Sequence, residues 1–169
     1  MRIGQSLIPE FDVEMASTRR VLERLPDDKW NWRIHEKSNP IGWVANHLAD
    51  LPGWVEITIC HDALDVEPEP GQRYQSPTEP NRDAVLALFD ANVAEARELL
   101  ETVDDETLYG PWRLLRLGEE LMSMPRLVCL RTWVLNHIIH HRAHLCVYLR
   151  VNDIPVPGLY GPSADEGVN

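Results

Sequence analysis

Apolar residues recur at intervals of three and four in four stretches of the chain, which is the spacing of helices that bury one face. These stretches cover approximately residues 6–25, 40–60, 83–103 and 125–151. Pro26 ends the first stretch. Asn39 and Pro40 begin the second, with the asparagine as a helix cap and the proline at the first helical position, and Pro125 begins the fourth. The pattern therefore predicts four helices.

The connections between these predicted helices differ in length and composition. Pro52 lies inside the second helix and should bend it or break one of its backbone hydrogen bonds. Residues 61–80 are rich in proline and acidic side chains, which is typical of a long surface loop. Residues 107–124 contain two turns and predict a crossover with a short hairpin, whereas residues 154–166 are irregular but carry apolar side chains that should pack back on the helices. We expect an all-α four-helix bundle with long connections, formed as one domain by residues 1–169.

Charge and hydropathy narrow the classes of partner. The formal net charge is −11, and the lysines and arginines are scattered along the chain. Nucleic-acid binding requires clustered basic side chains, so we expect no nucleic-acid partner. No stretch approaches about eighteen consecutive apolar residues, and the first residues lack the apolar core of a signal peptide. We therefore expect a cytoplasmic protein that does not enter a membrane.

The three cysteines, Cys60, Cys129 and Cys146, form no C-x-x-C pair. Each lies among apolar residues. An odd number of cysteines in such surroundings is typical of small buried side chains in a reducing compartment. A catalytic thiol is the alternative.

Four of the seven histidines fall between residues 137 and 144, inside the fourth predicted helix. At 100° per residue, His137 and His141 lie on the stripe that otherwise holds Leu130, Val134 and Leu145. His140 lies beside this stripe, where an interhelical hydrogen bond or a surface role is expected. The alternative is that it orients a ligand or acts as a general base. His144 has a suitable angle but lies about 10 Å along the axis from His137. His137 and His141 are therefore the best candidate metal ligands in this helix.

A third ligand must come from another part of the chain, since two histidines rarely hold a metal alone. His35 lies in a predicted loop and His61 at a helix end, whereas His47 interrupts the apolar stripe of the second helix. The periodicity thus selects His47, His137 and His141. Three neutral imidazoles suit zinc, nickel, copper or divalent iron and leave a coordination position open for catalysis. The alternative is three hydrogen-bonded core histidines without a metal.

Three other polar residues, Arg142, Arg150 and Asp50, are expected to have structural or supporting roles. Arg142 and Arg150 are expected to form ion pairs at the surface or with the tail, where Asp165 and Glu166 are possible partners. Binding of an anionic substrate is the alternative. Asp50 lies three residues after His47 and could support a ligand or transfer a proton.

With these residues identified, the chain resembles the DinB-like superfamily. The likeness rests on the run His137-Ile-Ile-His-His-Arg-Ala-His-Leu-Cys-Val-Tyr-Leu-Arg150, on the tail Val156-Pro-Gly-Leu-Tyr-Gly-Pro-Ser-Ala-Asp-Glu166, and on the segment Trp43-Val-Ala-Asn-His-Leu48. One departure is visible, because Ala143 and His144 stand where the family usually has glycine and glutamine. This leaves the two predicted ligands intact and adds one imidazole nearby.

The resemblance implies an up-down-down-up bundle that binds a divalent metal, nickel or zinc, through His47, His137 and His141. It also implies a homodimer. The activity it implies is a metal-dependent enzyme acting on a small molecule, either by transfer of a low-molecular-weight thiol or by hydrolysis. Because this fold carries several activities, a non-catalytic metal-binding module for stress response or interaction is the alternative.

Overall fold

The computed structural model describes residues 2–167 of the chain. Most of these residues are helical, as predicted. The helices are α1 (Ile3–Leu22), α2 (Ile41–Asp50), α3 (Trp54–Cys60), α4 (Arg82–Thr102), α5 (Asp105–Tyr109), α6 (Arg126–Cys129) and α7 (Asn136–Val151). Three strands, β1 (Ala63–Asp65), β2 (Pro111–Arg116) and β3 (Glu119–Pro125), form one small sheet. The all-α prediction therefore holds for the main body of the molecule but omits this sheet.

Four long helical segments carry the core, and they correspond to the four predicted helices. They are α1, α2 with α3, α4, and the stretch from α6 to α7. α1 packs against α4 and α7, and α2 packs against the same two helices. Their inward faces supply a continuous cluster of buried apolar side chains, among them Phe11, Leu48, Phe89 and Ile138. This arrangement makes α2 and α7, the helices that carry the predicted ligands, direct neighbours.

α1 and α4 approach each other closely at Gly4. A Cβ atom at this position would clash with the backbone carbonyl oxygen of Leu100 and would lie 2.7 Å from Cγ1 of Val103. We expect Gly4→Ala to lower the free energy of unfolding by about 1–3 kcal/mol, because overpacking outweighs the better helix propensity of alanine. Urea denaturation followed by circular dichroism measures this.

Gly53 provides the matched control for Gly4. Its added Cβ would meet its nearest neighbour, the side chain of Asn92, at an ordinary contact distance of 3.4 Å. Gly53→Ala should therefore be neutral or slightly stabilising. Equal losses of stability in the two variants would contradict the close packing of α1 on α4.

The second predicted helix is interrupted at Pro52, as expected. Residues Leu51–Gly53 form a short 3-10 turn between α2 and α3, because proline cannot donate the backbone hydrogen bond that a continuous helix requires. The start of α2 differs from the prediction. Pro40 occupies the cap position and makes no side-chain cap hydrogen bond, so Asn39 is not the cap.

The fourth predicted helix begins after Pro125 and ends at Val151, as predicted, but it is not a uniform α-helix. Residues Leu130–Leu135 form a π-helix between α6 and α7. This wider turn changes the direction in which the following side chains point. Leu135 is buried, although at 100° per residue it would lie outside the apolar stripe. The π-helix ends immediately before the helix that carries His137 and His141.

The sheet confirms the predicted hairpin and adds one strand to it. β2 and β3 pair antiparallel, and their turn contains Leu117 and Gly118, both with positive φ. Such a turn favours glycine and matches the twist of a hairpin. β1 pairs with β2 in parallel. β1 belongs to the long connection between α3 and α4. Its pairing with β2 therefore attaches one end of that connection to the segment between α5 and α6.

The tail packs back on the helices, as predicted, and Arg150 forms the expected ion pair with Asp165. The prediction for Arg142 was wrong. This side chain is only 1% exposed and pairs with the carboxylate of Glu14 at 2.7 Å, while donating a hydrogen bond to the Tyr160 hydroxyl. The sequence could not show this pairing, because Glu14 lies on α1 and Tyr160 in the tail, both distant from Arg142 along the chain.

Cys129 is buried and Cys146 partly buried, which agrees with the prediction, but Cys60 is exposed at the end of α3. The apolar residues before Cys60 belong to a helix that ends there, so they do not cover it. Among the described residues, no helix is long and apolar enough to cross a membrane.

Candidate metal centre

Three histidine side chains converge between α2 and α7. The Nε2 atom of His137 lies 2.9 Å from Nε2 of His141 and 3.4 Å from Nε2 of His47. One ring nitrogen from each residue lies within 4.8 Å of the others. The structure thus brings together the three residues that helical periodicity selects from the sequence.

The helices place these side chains for simple reasons. His137 and His141 are one turn apart on α7 and therefore point in the same direction. His47 lies on the face of α2 that packs against α7. All three rings are half-buried, so part of each ring reaches the surface.

The spacing of the nitrogens fits a single metal ion. Two nitrogens bound to one ion at about 2.0–2.1 Å lie roughly 2.9 Å apart at a right angle and roughly 3.4 Å apart at the tetrahedral angle. These are the two separations found around His137. Hydrogen bonding alone fits less well, because Nε2 of His137 carries either one proton or one lone pair and can satisfy only one neighbour. The residues present therefore fit a divalent metal.

The protonation states also suit metal binding. Burial lowers the pKa of His47 to about 4, with a smaller contribution from His137. Burial and, to a smaller extent, the neighbouring imidazoles lower the pKa of His141 to about 3. The pKa of His137 is lowered by burial too. At neutral pH all three rings are uncharged, and neutral imidazole is the form that binds a metal.

These lowered pKa values predict a loss of stability in acid for the metal-free protein. The unfolded chain binds protons at an ordinary histidine pKa of about 6.5, so between pH 7 and pH 5 it takes up more protons than the folded chain. Stability is therefore complete above pH 6.5 and decreases as the pH falls towards the folded pKa values. We expect His47 to account for about 1–2 kcal/mol of this loss between pH 7 and pH 5.

Urea denaturation in the presence of chelator at several pH values measures this effect. His47→Gln removes the titrating group and should flatten the pH dependence, whereas the control His61→Gln, in which the residue is exposed, should not. An unchanged pH dependence in His47→Gln would contradict the burial of an uncharged imidazole at this position.

Two tryptophan side chains border all three histidines. Trp43 stacks on His47 with ring centres 4.9 Å apart, and its edge approaches His141 at 6.2 Å. Trp133 meets His137 edge to face at 6.4 Å. Trp43 lies four residues before His47, and Trp133 lies four residues before His137. Each indole is thus one helical turn from its histidine. This repeated spacing is the sequence signal that would have identified the two tryptophans as part of the site.

The histidines are accessible from two clefts. One has a volume of about 320 Å³ and is lined by Thr132, Trp133, Asn136, His137 and His140. The other, of about 390 Å³, includes His141 and His144 together with residues of the loop before α2. A small molecule can therefore reach the cluster from either cleft without separating the helices.

The remaining candidate residues lie elsewhere or have other partners. The Asp50 carboxylate accepts hydrogen bonds from the hydroxyls of Tyr74 and Ser76, so it anchors the long loop after β1 rather than supporting a histidine. His35 and His61 are exposed and outside the cluster. His140 and His144 are adjacent to His141 on its solvent side, with ring centres 4.9 Å and 5.3 Å from it.

Comparison with known proteins places this architecture in a family. The family model of the DinB superfamily matches residues 10–145. An uncharacterised protein of Bacillus subtilis, YrdA, is 25% identical over 94% of this chain and 89% of its own length.

Two solved structures have the same fold. The crystal structure of a DinB-like protein from Bacillus cereus matches with a TM-score of 0.67 and 23% identity, covering 92% of this chain and 97% of that chain. The DinB-like protein YjoA from Bacillus subtilis also matches with a TM-score of 0.67, at 17% identity, covering 95% and 98%. With a family model that spans most of its length, the chain belongs to the DinB superfamily.

Proposed function

We propose that this protein binds one divalent metal ion through His47, His137 and His141. The observation that carries the proposal is that Nε2 of His137 lies 3.4 Å from Nε2 of His47 and 2.9 Å from Nε2 of His141, separations that one ion can bridge. Imidazole ligands suit several transition metals, and the family resemblance favours nickel or zinc among them.

We further propose that the metal site is catalytic and acts on a small molecule. A bound divalent ion with three imidazole ligands supplies Lewis acidity at its open position, which activates a thiol or a water molecule as a nucleophile. The half-buried rings and the adjoining cleft support this, since a purely structural site is normally closed. By resemblance, the reaction is transfer of a low-molecular-weight thiol to an electrophile, or hydrolysis.

The residues around the cluster have distinct roles in this proposal. Trp43 stacks on one face of His47 and limits the rotation of that ring. Trp133 meets the ring of His137 edge to face and limits its rotation in turn. Held rings keep their nitrogens in place without the loss of side-chain entropy that binding would otherwise cost. Thr132 and Asn136 line the cleft beside His137 and provide polar groups for orienting a substrate.

Assays with electrophilic substrates, in the presence and absence of a thiol, test the reaction class. The metal-loaded protein is offered an electrophile alone, and then with glutathione, mycothiol or bacillithiol. We expect turnover that requires both the metal and one of the thiols. Turnover that does not depend on thiol would reject transfer and support hydrolysis, whereas His137→Ala should abolish either activity.

A non-catalytic metal-binding module is the second candidate function. It is favoured by the origin of the ligands in two helices, because an ion held by His47 on α2 and by His137 and His141 on α7 would cross-link the bundle. Cobalt substitution distinguishes the two functions. A visible absorption spectrum that changes when a thiol is added indicates an exchangeable position and favours an enzyme, while an unresponsive spectrum favours the structural role.

Contacts between the helices support the up-down-down-up order as part of this proposal. Arg2 at the start of α1 binds the Thr102 carbonyl at the end of α4, so these two helices run in opposite directions. Arg131, in the π-helix before α7, pairs with Glu10, and Arg142 of α7 pairs with Glu14. The helical stretch that ends in α7 therefore runs parallel to α1.

The assembly and the location of the protein are also proposals. We propose a homodimer, as the resemblance implies, and sedimentation equilibrium would test it. We also propose a cytoplasmic location, where the three free cysteines would remain reduced.

A further inference from the structure

A second group of histidines lies on the solvent side of the three-histidine centre. His140, His141 and His144 each offer a ring nitrogen, and these nitrogens lie within 4.8 Å of one another. His140 is exposed and His144 is partly exposed, so an ion can reach them directly from solvent. This group therefore differs from the centre between α2 and α7, whose rings are all half-buried.

The spacing of His140 and His144 suits chelation of a metal. They are four residues apart on α7, which is one helical turn, and their ring centres are 4.4 Å apart. Two histidines at this spacing on one helix face can bind a single zinc ion together. The contacts of these two rings with the cluster are edge-to-face ring contacts, and no hydrogen bond or ion pair to another described residue has to be broken when a metal binds.

His141 connects the two groups. Its Nε2 atom faces His137, whereas its Nδ1 atom is buried and has no hydrogen-bond partner among residues 2–167. A buried polar atom without a partner is costly, so a ligand for it is favourable. The ring therefore has one nitrogen engaged with the inner cluster and a second nitrogen that no protein group satisfies.

We propose that His140 and His144, with His141 as a shared third ligand, form a second binding site for a divalent transition metal such as zinc. The site is at the surface and is weaker than the inner one. When Nε2 of His141 binds the inner ion, its Nδ1 atom can bind the outer ion only after the Nδ1 proton is released to solvent, and this lowers the affinity. When the inner site is broken, His141 is fully available and the outer site binds more tightly. Filling one site thus lowers the affinity of the other.

Zinc titration of the full chain without a polyhistidine tag tests the proposal. The protein is stripped of metal with chelator and dialysed, and bound zinc is then measured by equilibrium dialysis with elemental analysis. We expect two ions per wild-type chain, the second bound at least about tenfold more weakly than the first. His140→Ala/His144→Ala should retain the tight ion and lose the weak one.

Two further variants separate the outer site from the inner site. His137→Ala should bind one ion more tightly than the wild-type protein binds its second ion, since the outer site no longer shares His141. His35→Ala/His61→Ala replaces two exposed histidines outside the cluster and should still bind two ions.

Three results would overturn the outer site. These are a wild-type protein that binds the tight ion but no second, weaker one, a second ion that survives in His140→Ala/His144→Ala, and a second ion lost only in the His35 and His61 variant. His140→Gln/His144→Gln, with folding checked by circular dichroism, excludes a loss caused by unfolding. Failure of the inner site is distinguishable, because it would remove the tight ion and leave only the weak one.

Discussion

Replacing His137 with alanine is expected to reduce the divalent metal content of the purified protein from about one ion per chain to less than about one tenth. His137 is the central member of the cluster, since its Nε2 atom is close to both of the other Nε2 atoms. Its removal leaves His47 and His141 on different helices, and two imidazoles rarely hold a metal alone. Elemental analysis of protein prepared without chelator, before any zinc is added, measures the effect.

His61→Ala is the matched control for His137→Ala. His61 is an exposed histidine that pairs with Glu56 outside the cluster, so its replacement should leave the metal content unchanged. Circular dichroism of both variants checks that each is folded. A folded His137→Ala protein that retains a full complement of tightly bound metal would contradict the three-histidine centre.

Helical periodicity was sufficient to find this cluster because burial of one helix face is a strong constraint. His47 and the pair on α7 stand out as polar residues on apolar stripes, and the packing of α2 on α7 then brings them together. Trp43 was harder to assign. It falls near the edge of the stripe, and the structure leaves it 41% exposed, with its ring covering His47 rather than filling the core.

Features that depend on distant parts of the chain were not accessible from local patterns. The hairpin formed by β2 and β3 is a local structure and was predicted, but β1 is a three-residue strand whose partner lies far along the sequence. The π-helix of residues Leu130–Leu135 was missed for a related reason. It contains no proline or glycine, and its wider turn is a matter of how the helix packs rather than of its composition.

The buried pair of Glu14 and Arg142 is the largest error of the sequence interpretation and the source of the second large prediction. We expect Arg142→Met to lower the free energy of unfolding by about 3–5 kcal/mol, since methionine fills the space but leaves the Glu14 carboxylate buried without its counter-ion. The hydroxyl of Tyr160, 2.9 Å from that carboxylate, is the polar partner that remains. Urea denaturation at pH 7 in the presence of chelator measures the loss without a contribution from bound metal.

Two comparisons distinguish loss of a buried ion pair from general damage to α7. Arg150 also lies on α7, and Arg150→Met breaks its more exposed ion pair with Asp165 of the tail. This should lower the free energy of unfolding by no more than about 1 kcal/mol. Glu14→Leu/Arg142→Met removes both charges together, so it should be considerably more stable than Arg142→Met alone, because no uncompensated charge is then buried. If Arg142→Met costs no more than Arg150→Met, the pair of Glu14 and Arg142 does not hold α1 and the tail against the helix that carries the metal ligands.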